Sequence, residues 1–431
     1  MNLEEVREYL LDFQKRNLPV LIERDLKISD TKRIKSIIGP RRAGKTFFMY
    51  QQIKELINSG IKKEGILYLN FEDIRLIEVN FKEIREIVKL HWQLYPESTK
   101  DTLYIFIDEP QNIEKWEVAV RSLHDEGFNI FISGSSSRLL SKEIATSLRG
   151  RTISYLILPF SFREFLKIKN FKFDVKHLDS KEKSILLNFV DEYLEFGSFP
   201  EVILENNKEN KIRIINEYFD LVVYRDIVER YKIKNIQLIK WLIKSLASSF
   251  SKEFSIHKLY LTLKSKGIKL SKNTLYSYLS MLEDSIFVFF ISKFKHSIRK
   301  KEFSINKAYL SDIGFVKLSE FSGDKGKKME NVVLLELKRK ANPLEQIFYW
   351  NNGKSEIDFI LMQGLKIKQL IQVCHNINDY DTKRRETKAL VKASKELKCK
   401  NLLVITFDYE AEETIQGNRI KFIPLWKWSL E

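Results

Sequence analysis

The most specific chemical pattern in this chain lies in eight consecutive residues, 39–46. They read Gly-Pro-Arg-Arg-Ala-Gly-Lys-Thr, which fits the phosphate-loop pattern G-x-x-x-x-G-K-[ST] at every fixed position. Gly39 and Gly44 allow backbone angles and close approaches that a Cβ would block, so the N–H groups of the turn can point at phosphate oxygens. In this pattern Lys45 reaches the β and γ phosphates and the Thr46 hydroxyl binds Mg²⁺, which predicts ATP and Mg²⁺ as cofactors. The predicted nucleotide-binding residues are Gly39, Pro40, Arg41, Arg42, Ala43, Gly44, Lys45 and Thr46.

A pair of acidic residues follows an apolar run about sixty residues later. Leu103–Ile107 reads as a buried strand that ends in Asp108 and Glu109. A carboxylate at the end of a buried strand is costly unless a cation meets it, and Mg²⁺ held jointly with Thr46 is the obvious candidate. We therefore predict Asp108 as a metal ligand. Glu109 is placed to polarise the attacking water as a general base.

Two further positions suit a site that hydrolyses a triphosphate. The next strand ends at Ser133, a small hydroxyl that we expect to sense the γ phosphate, with Ser135 as the second choice. Arg149 or Arg151, in the run Leu-Arg-Gly-Arg, could stabilise charge in the transition state, in cis or from a neighbouring subunit. An ordinary solvated loop explains these two arginines equally well.

The elements that must position these residues alternate between apolar strands and helical segments from residue 30 to about 160. Buried strands that appear as continuous apolar runs are typical of a doubly wound parallel sheet, so we predict an α/β fold for this region. A helical pattern over Phe47–Ile57 follows the phosphate loop directly. The candidate strands are Ile34–Ile38, Ile66–Phe71, Leu103–Ile107, Asn129–Ser133 and Ile153–Leu158.

Together these motifs resemble the AAA-type ATPases of a prokaryotic, archaeal-type family that carries a characteristic C-terminal domain. The resemblance runs over nearly the whole chain and implies a P-loop ATPase. The matching motifs are GPRRAGKT (39–46), NFED (70–73), IDEPQ (107–111), SGSSS (133–137), LRGR (148–151), PFSFREF (159–165), FGSFPE (196–201) and YRDIV (224–228).

The excess positive charge is concentrated in the middle of the chain. The whole chain has a formal net charge of +16, and residues 231–310 hold 16 lysines and arginines against four acids, a net charge of +12. Lysine-rich composition typical of a low-GC or thermophilic genome would not explain the scarcity of acids. A polyanion such as duplex DNA explains it better.

The same segment has the element order of a winged helix. Helical patterns over Ile236–Ser248, Ser255–Leu263 and from Ser271 to Leu282 precede two strand-like runs, Ile286–Lys293 and Phe303–Leu310. The start of the third helix and the basic turn between the strands would then meet DNA. A winged helix that binds protein is the alternative. The predicted contacts are Lys272, Asn273, Thr274, Arg299, Lys300 and Lys301.

The C-terminal part has the order αβββαβ, which resembles PD-(D/E)XK nuclease folds, as the family's C-terminal domain does. Glu330 and Asp358 match the helix and first-strand acids, which bind Mg²⁺ in active members. Where an acid-x-lysine pair is expected, this chain has Gln372-Val373-Cys374. We therefore interpret the domain as a non-catalytic relic. A lysine that takes the missing place in space would revive the nuclease hypothesis, and the candidates are Lys354, Lys366 and Lys368.

At 431 residues the chain has room for two or three domains. We expect an ATPase domain at 1–175, a helical and winged-helix region at 176–315, and a nuclease-like domain at 316–431. Two cysteines give no disulfide framework, and no apolar run is long enough to span a bilayer, so we expect a cytoplasmic protein. The leading hypothesis is an ATPase that moves a DNA-binding module, and it could form a homo-oligomer. The alternatives are a slow nucleotide-gated switch and an ATP-dependent endonuclease.

Overall fold

The computed structural model describes residues 1–99, 102–134, 148, 150–175, 177–295, 305–319 and 323–431. The chain forms two compact units, Met1–Ile157 and Leu158–Glu431. The helices are α1 Leu3–Lys15, α2 Lys45–Asn58, α3 Ile84–Leu94, α4 Trp116–Asp125, α5 Phe162–Ile168, α6 Ser180–Phe196, α7 Pro200–Leu204, α8 Lys208–Leu221, α9 Ile236–Ser248, α10 Ile256–Ser265, α11 Lys272–Asp284, α12 Lys325–Lys340, α13 Tyr380–Leu397 and α14 Leu425–Leu430. The strands are β1 Ile34–Ile38, β2 Ile66–Asn70, β3 Tyr104–Asp108, β4 Asn129–Gly134, β5 Thr152–Leu156, β6 Lys252–Phe254, β7 Val288–Ser292, β8 Asn306–Leu310, β9 Glu345–Asn351, β10 Glu356–Gln363, β11 Lys366–Cys374, β12 Leu402–Thr406, β13 Ala411–Ile415 and β14 Asn418–Pro424.

The first unit is built on a five-stranded sheet in the order β2-β3-β4-β1-β5, with every pair parallel. The predicted α/β fold with a parallel sheet is confirmed, and all five predicted strands are present within two residues of their expected ends. Since β1, β3 and β4 are adjacent, their carboxyl ends lie at one edge of the sheet. Asp108 pairs in register with Ser133, and Ile38, just before the phosphate loop, pairs with Gly134.

Helix α1 packs on this sheet through an apolar face. Its buried residues are Val6, Tyr9, Leu10 and Phe13, the i, i+3, i+4, i+7 spacing of one helix face. The Tyr9 hydroxyl accepts a hydrogen bond from the Asn70 backbone N–H at 2.9 Å, so α1 is fixed at the carboxyl end of β2.

The described residues of the second unit form two sheets. A small antiparallel sheet has the order β6-β8-β7, and a six-stranded sheet has the order β13-β14-β12-β11-β10-β9. The helices and strands expected between residues 236 and 310 are present where the structure describes them. The αβββαβ order is also present, followed by the β13–β14 pair and α14, which the sequence reasoning did not anticipate. Within the described part of the chain, no helix combines the length and apolarity that a membrane span requires.

The turn that follows α6 is hydrogen-bonded to the turn that follows β8 of the small sheet. Asp312 accepts hydrogen bonds from the backbone N–H of Ser198 at 2.8 Å and of Gly314 at 2.7 Å. Burial raises the pKa of this carboxyl to about 6, against the opposing effect of those donors. Gly197 lies against it at φ 76°, and a Cβ there would stand 1.8 Å from Asp312 Oδ1. The turn therefore requires glycine at this position.

We predict that Gly197→Ala destabilises the second unit by about 3 kcal/mol, because it adds a clash to the cost of a left-handed backbone. Urea unfolding of the full chain measures this. Gly267→Ala is the matched control: Gly267 also has positive φ (+74°) but no neighbour within 4 Å of the added Cβ. We expect that control to cost about 1 kcal/mol, and equal losses in the two variants would contradict the packing argument.

Candidate nucleotide site and a buried lysine cluster

The phosphate loop connects β1 to α2. Gly44 has φ 91° and precedes the first residue of α2, so the loop ends at a helix N-terminus. The Lys45 ammonium folds back over the loop and donates to the Pro40 carbonyl at 3.0 Å. A Cβ on Gly39 would lie 1.9 Å from the Ile157 carbonyl oxygen, which explains why glycine stands at the start of the loop.

Asp108 is the buried centre of the candidate site, with 1% of its surface exposed. Three side chains from three different elements donate hydrogen bonds to it. Thr46 Oγ1 reaches Oδ2 at 2.7 Å, the Tyr68 hydroxyl reaches the same oxygen at 3.1 Å, and Ser133 Oγ donates to Oδ1. Burial raises the pKa of the Asp108 carboxyl, and the charge of Glu109 raises it further, while Ser133 and Thr46 oppose the change. The charge of Lys45 opposes it as well, so the carboxylate has one cation nearby in addition to its hydroxyl donors.

The residues present suit a Mg²⁺ ion that a nucleotide brings. Thr46 Oγ1 and Asp108 Oδ2 lie 2.7 Å apart, so both oxygens can face one cation. Among the described residues, no group of three or more His, Cys, Asp or Glu side chains is arranged to hold a metal. Mg²⁺ is usually bound by one or two protein oxygens, with water and phosphate oxygens completing the shell, so the two findings agree.

Glu109 is held beside this cluster in an uncommon backbone conformation, with φ 52° and ψ 49°. Its N–H donates to the Ser133 carbonyl at 3.0 Å, and the Gln111 side-chain amide donates to its carboxylate. A non-glycine residue in this region carries strain of about 1 kcal/mol or more, which such bonds must hold in place.

Arg151 is not assembled with these residues. Arg151 pairs with Asp125 at 2.9 Å, and its carbonyl accepts from the Ile34 N–H at 2.9 Å. Ile34 begins β1, whereas the phosphate loop follows the end of β1, so Arg151 lies at the opposite edge of the sheet. The structure therefore does not bring Arg151 to the phosphate loop of its own chain. Arg149 and Ser135 lie outside the described residues.

The nuclease-like positions meet around a lysine that the sequence reasoning missed. Lys307 on β8 places its ammonium 3.0 Å from Glu330 Oε1 on α12 and 3.3 Å from Asp358 Oδ1 on β10. A third carboxylate, Glu356, also pairs with it. Burial lowers the pKa of Lys307, but the surrounding negative charges outweigh that effect and hold the pKa above its usual range. Lys307 is therefore a buried cation at the centre of the cluster.

The remaining nuclease-like residue is also engaged. Gln372 accepts from the Asp358 N–H at 3.3 Å and donates to Glu386 at 2.5 Å. The three lysines considered from the sequence do not take part: Lys354, Lys366 and Lys368 are exposed, and Lys368 pairs with Glu345 instead. The sequence did contain a sign that Lys307 is buried. It is a single charged residue directly before the apolar run Ala308-Tyr309-Leu310. Tyr68 had no comparable signal, because tyrosine is common in buried strands.

Removing the Lys307 ammonium should leave the surrounding carboxylates buried without a counter-charge, which lowers the free energy of unfolding. We predict that Lys307→Met destabilises the second unit by about 3–5 kcal/mol, as expected when one partner of a buried ion pair is lost. Adding Glu330→Gln should recover part of that loss. Lys368→Met, which breaks an exposed pair, should cost about 1 kcal/mol or less. Chemical unfolding measures all of them, and a Lys307→Met loss no larger than that of Lys368→Met would contradict the assignment.

Comparisons with known proteins place the chain in a family. A family model described as an AAA domain matches residues 31–166, and models described as domains of unknown function, DUF8612 and DUF4143, match residues 188–324 and 325–428. The AMPPCP-bound DnaA from Aquifex aeolicus is similar at 14% identity over 65% of this chain and 86% of its own, with a TM-score of 0.24, which is too low to support any argument. The uncharacterized protein MJ1544 of Methanocaldococcus jannaschii is 42% identical over 95% of this chain and 91% of its own length. An uncharacterized protein of Haemophilus influenzae is 31% identical over 93% and 96%. The chain therefore belongs to one family with these two proteins, and its residues 31–166 are an AAA domain.

Proposed function

We propose that this protein is a Mg²⁺-dependent ATPase. The observation that carries the proposal is the convergence of Thr46, Asp108 and Ser133 at one sheet edge, directly beside a complete phosphate loop. Three side chains far apart in sequence meet where a triphosphate and its cation would lie. An isolated match to the phosphate-loop pattern would not require that convergence.

Each residue has a distinct proposed role. The loop N–H groups and Lys45 bind the phosphates, and Lys45 would exchange its bond to the Pro40 carbonyl for phosphate oxygens. Bound Mg²⁺ would supply positive charge next to the β and γ phosphates. Thr46 and Asp108 would orient that ion, and Ser133 would couple the γ-phosphate position to Asp108.

Glu109 is our proposed general base. The Gln111 amide donates to its carboxylate and leaves the other oxygen for the water that attacks the phosphate. We retain Arg149 as a candidate for charge stabilisation in cis or in trans. Arg151 lies too far from the phosphate loop of its own chain to act there. For this residue we retain only the role in trans, within a homo-oligomer.

We further propose that residues 236–310 form a winged helix that binds duplex DNA. Ser271 caps α11, since its hydroxyl accepts from the Thr274 N–H at 3.0 Å, and Lys272 and Asn273 are exposed in the first turn. Such a turn can reach base edges in a major groove. Arg299, Lys300 and Lys301 lie outside the described residues. Lys307, part of the +12 charge, is buried and so is not available to a polyanion.

A slow nucleotide-gated switch is the alternative function for the same site. In that case ATP would set which partner, nucleic acid or protein, is bound, and turnover would stay slow with or without duplex DNA. Strong stimulation of steady-state turnover by duplex DNA would favour the coupled ATPase.

We propose that the C-terminal segment does not cut DNA. The Lys307 ammonium donates hydrogen bonds directly to Glu330 and Asp358, the two carboxylates that would have to bind a metal. Both carboxylates are buried, and the acid expected at position 372 is a glutamine. The buried lysine therefore serves as the counter-charge for these acids.

The ATPase assignment predicts different losses at two neighbouring steps. Lys45→Ala should abolish ATP binding, because the phosphates lose their main cationic contact. Glu109→Gln should keep ATP affinity and lower turnover by about 10²-fold or more. Equilibrium binding of a fluorescent ATP analogue and steady-state phosphate release measure the two. Normal hydrolysis by Glu109→Gln would remove its role as general base.

DNA binding through α11 predicts affinity that falls steeply with salt. Lys272→Ala should weaken binding to a duplex and reduce the slope of log K against log salt by about one unit. Lys392→Ala removes an exposed lysine on α13 and should change neither quantity. Fluorescence anisotropy over a salt series measures both variants. Affinity that does not depend on salt would favour a protein partner.

Supercoiled plasmid incubated with the protein and Mg²⁺ or Mn²⁺ should remain intact on an agarose gel. Nicking that disappears in Asp358→Ala would show that the C-terminal segment cuts DNA. Nicking that survives the substitution would point to a contaminant or to a different site.

A further inference from the structure

Tyr68 touches the candidate magnesium site from a strand that no phosphate-loop motif includes. Its hydroxyl donates to Asp108 Oδ2 at 3.1 Å, and the side chain is almost completely buried, with 1% exposed. The Thr46 hydroxyl donates to the same oxygen at 2.7 Å. The hydroxyls of Tyr68 and Ser133 therefore reach opposite oxygens of one carboxylate from the neighbouring strands β2 and β4.

This arrangement restricts the rotation of the Asp108 carboxylate. The terminal torsion of an aspartate has a broad energy profile, so the carboxylate plane is not fixed by the side chain itself. A donor on each oxygen fixes that plane. When Thr46 turns its oxygen toward a cation, Tyr68 still holds Oδ2 and Ser133 still holds Oδ1.

Tyr68 is itself held rigidly by an aromatic cluster. Phe13 of α1 stacks on its ring with centroids 5.3 Å apart, and the Tyr50 ring lies 5.2 Å away. The Tyr50 hydroxyl accepts from Arg16 Nη2 at 3.0 Å. The Arg16 guanidinium lies 5.3 Å from the Phe13 ring centroid and 5.9 Å from that of Tyr68.

The cluster ties α1 to the loop helix. Tyr50 stands four residues after Thr46 on α2, so both face the same side of that helix. Phe13 and Arg16 come from α1 and the residue that follows it. The position of Tyr68 therefore depends on both helices.

We propose that Tyr68 is a positioning residue that orients Asp108 for Mg²⁺, and that α1 supports this role by packing on the Tyr68 ring. The proposal rests on the proposed ATPase function of the same site. It predicts that Tyr68 affects the binding of Mg²⁺ and not the binding of the nucleotide in the absence of metal.

Tyr68→Phe tests the proposal, because it keeps the ring and removes the hydroxyl. The matched control is Tyr9→Phe, which removes the hydrogen bond between α1 and β2 without reaching Asp108. The first readout is the factor by which Mg²⁺ strengthens binding of a fluorescent ATP analogue, compared with EDTA. The second readout is the Mg²⁺ concentration that gives half-maximal turnover.

For Tyr68→Phe we expect binding in EDTA to stay within about twofold of wild type, since phosphate and base contacts are untouched. The Mg²⁺ enhancement should fall by about tenfold, the usual effect of losing one hydrogen bond to a charged group. The half-saturating Mg²⁺ concentration should rise by a similar factor, and KM for Mg·ATP should rise with it, because the nucleotide is bound more weakly at saturating Mg²⁺. Tyr9→Phe should keep the wild-type Mg²⁺ response.

Two results would overturn the proposal: an unchanged Mg²⁺ enhancement in Tyr68→Phe, or the same loss in Tyr9→Phe. The binding readout does not require turnover, so it decides the matter even if the wild type hydrolyses slowly. A wild type that binds no ATP, or a Lys45→Ala variant that still binds it, would overturn the proposed function as well.

Discussion

The site depends on one buried carboxylate. Asp108 ends strand β3 with 1% of its surface exposed, and a bare charge in that position would be very costly. Hydroxyl groups from α2, β2 and β4 donate hydrogen bonds to this carboxylate and stabilise it. These three elements can meet only because β2, β3 and β4 are adjacent and parallel, so that their carboxyl ends lie together. The order of the strands is therefore part of the chemistry of the site.

The second unit also contains buried carboxylates, but it stabilises them in a different way. Glu330 and Asp358 are also buried carboxylates at converging elements, but a lysine ammonium from the small sheet supplies their counter-charge. The Asp108 cluster has hydroxyl donors and the nearby Lys45, whose ammonium is bonded to a loop carbonyl. One cluster thus carries its cation as part of the chain, while the other has the oxygen ligands expected where a cation arrives with a bound nucleotide. This contrast supports hydrolysis in the first unit and a structural role for the second cluster.

Much of the first unit could be predicted from local patterns. Buried parallel strands appear as apolar runs, and the phosphate loop has fixed residues, so β1, α2 and the position of Asp108 followed directly. Arg151 could not be judged in this way, because only the register of β5 against β1 shows that it lies at the far edge. Lys307 was counted as part of a basic surface, since sequence does not show that acids 23 and 51 residues away surround it. Tyr68 was missed for the related reason that its hydrogen bond to Asp108 joins two different strands.

The most direct test of the account is the position of the metal. Crystals grown with Mn²⁺ and a non-hydrolysable ATP analogue would show it in an anomalous difference map. We expect one strong peak about 2.1 Å from Thr46 Oγ1, beside Asp108 and the nucleotide phosphates, and no peak among Glu330, Asp358 and Lys307. A nucleotide bound without metal at Thr46, or Mn²⁺ bound in place of the Lys307 ammonium, would contradict the account.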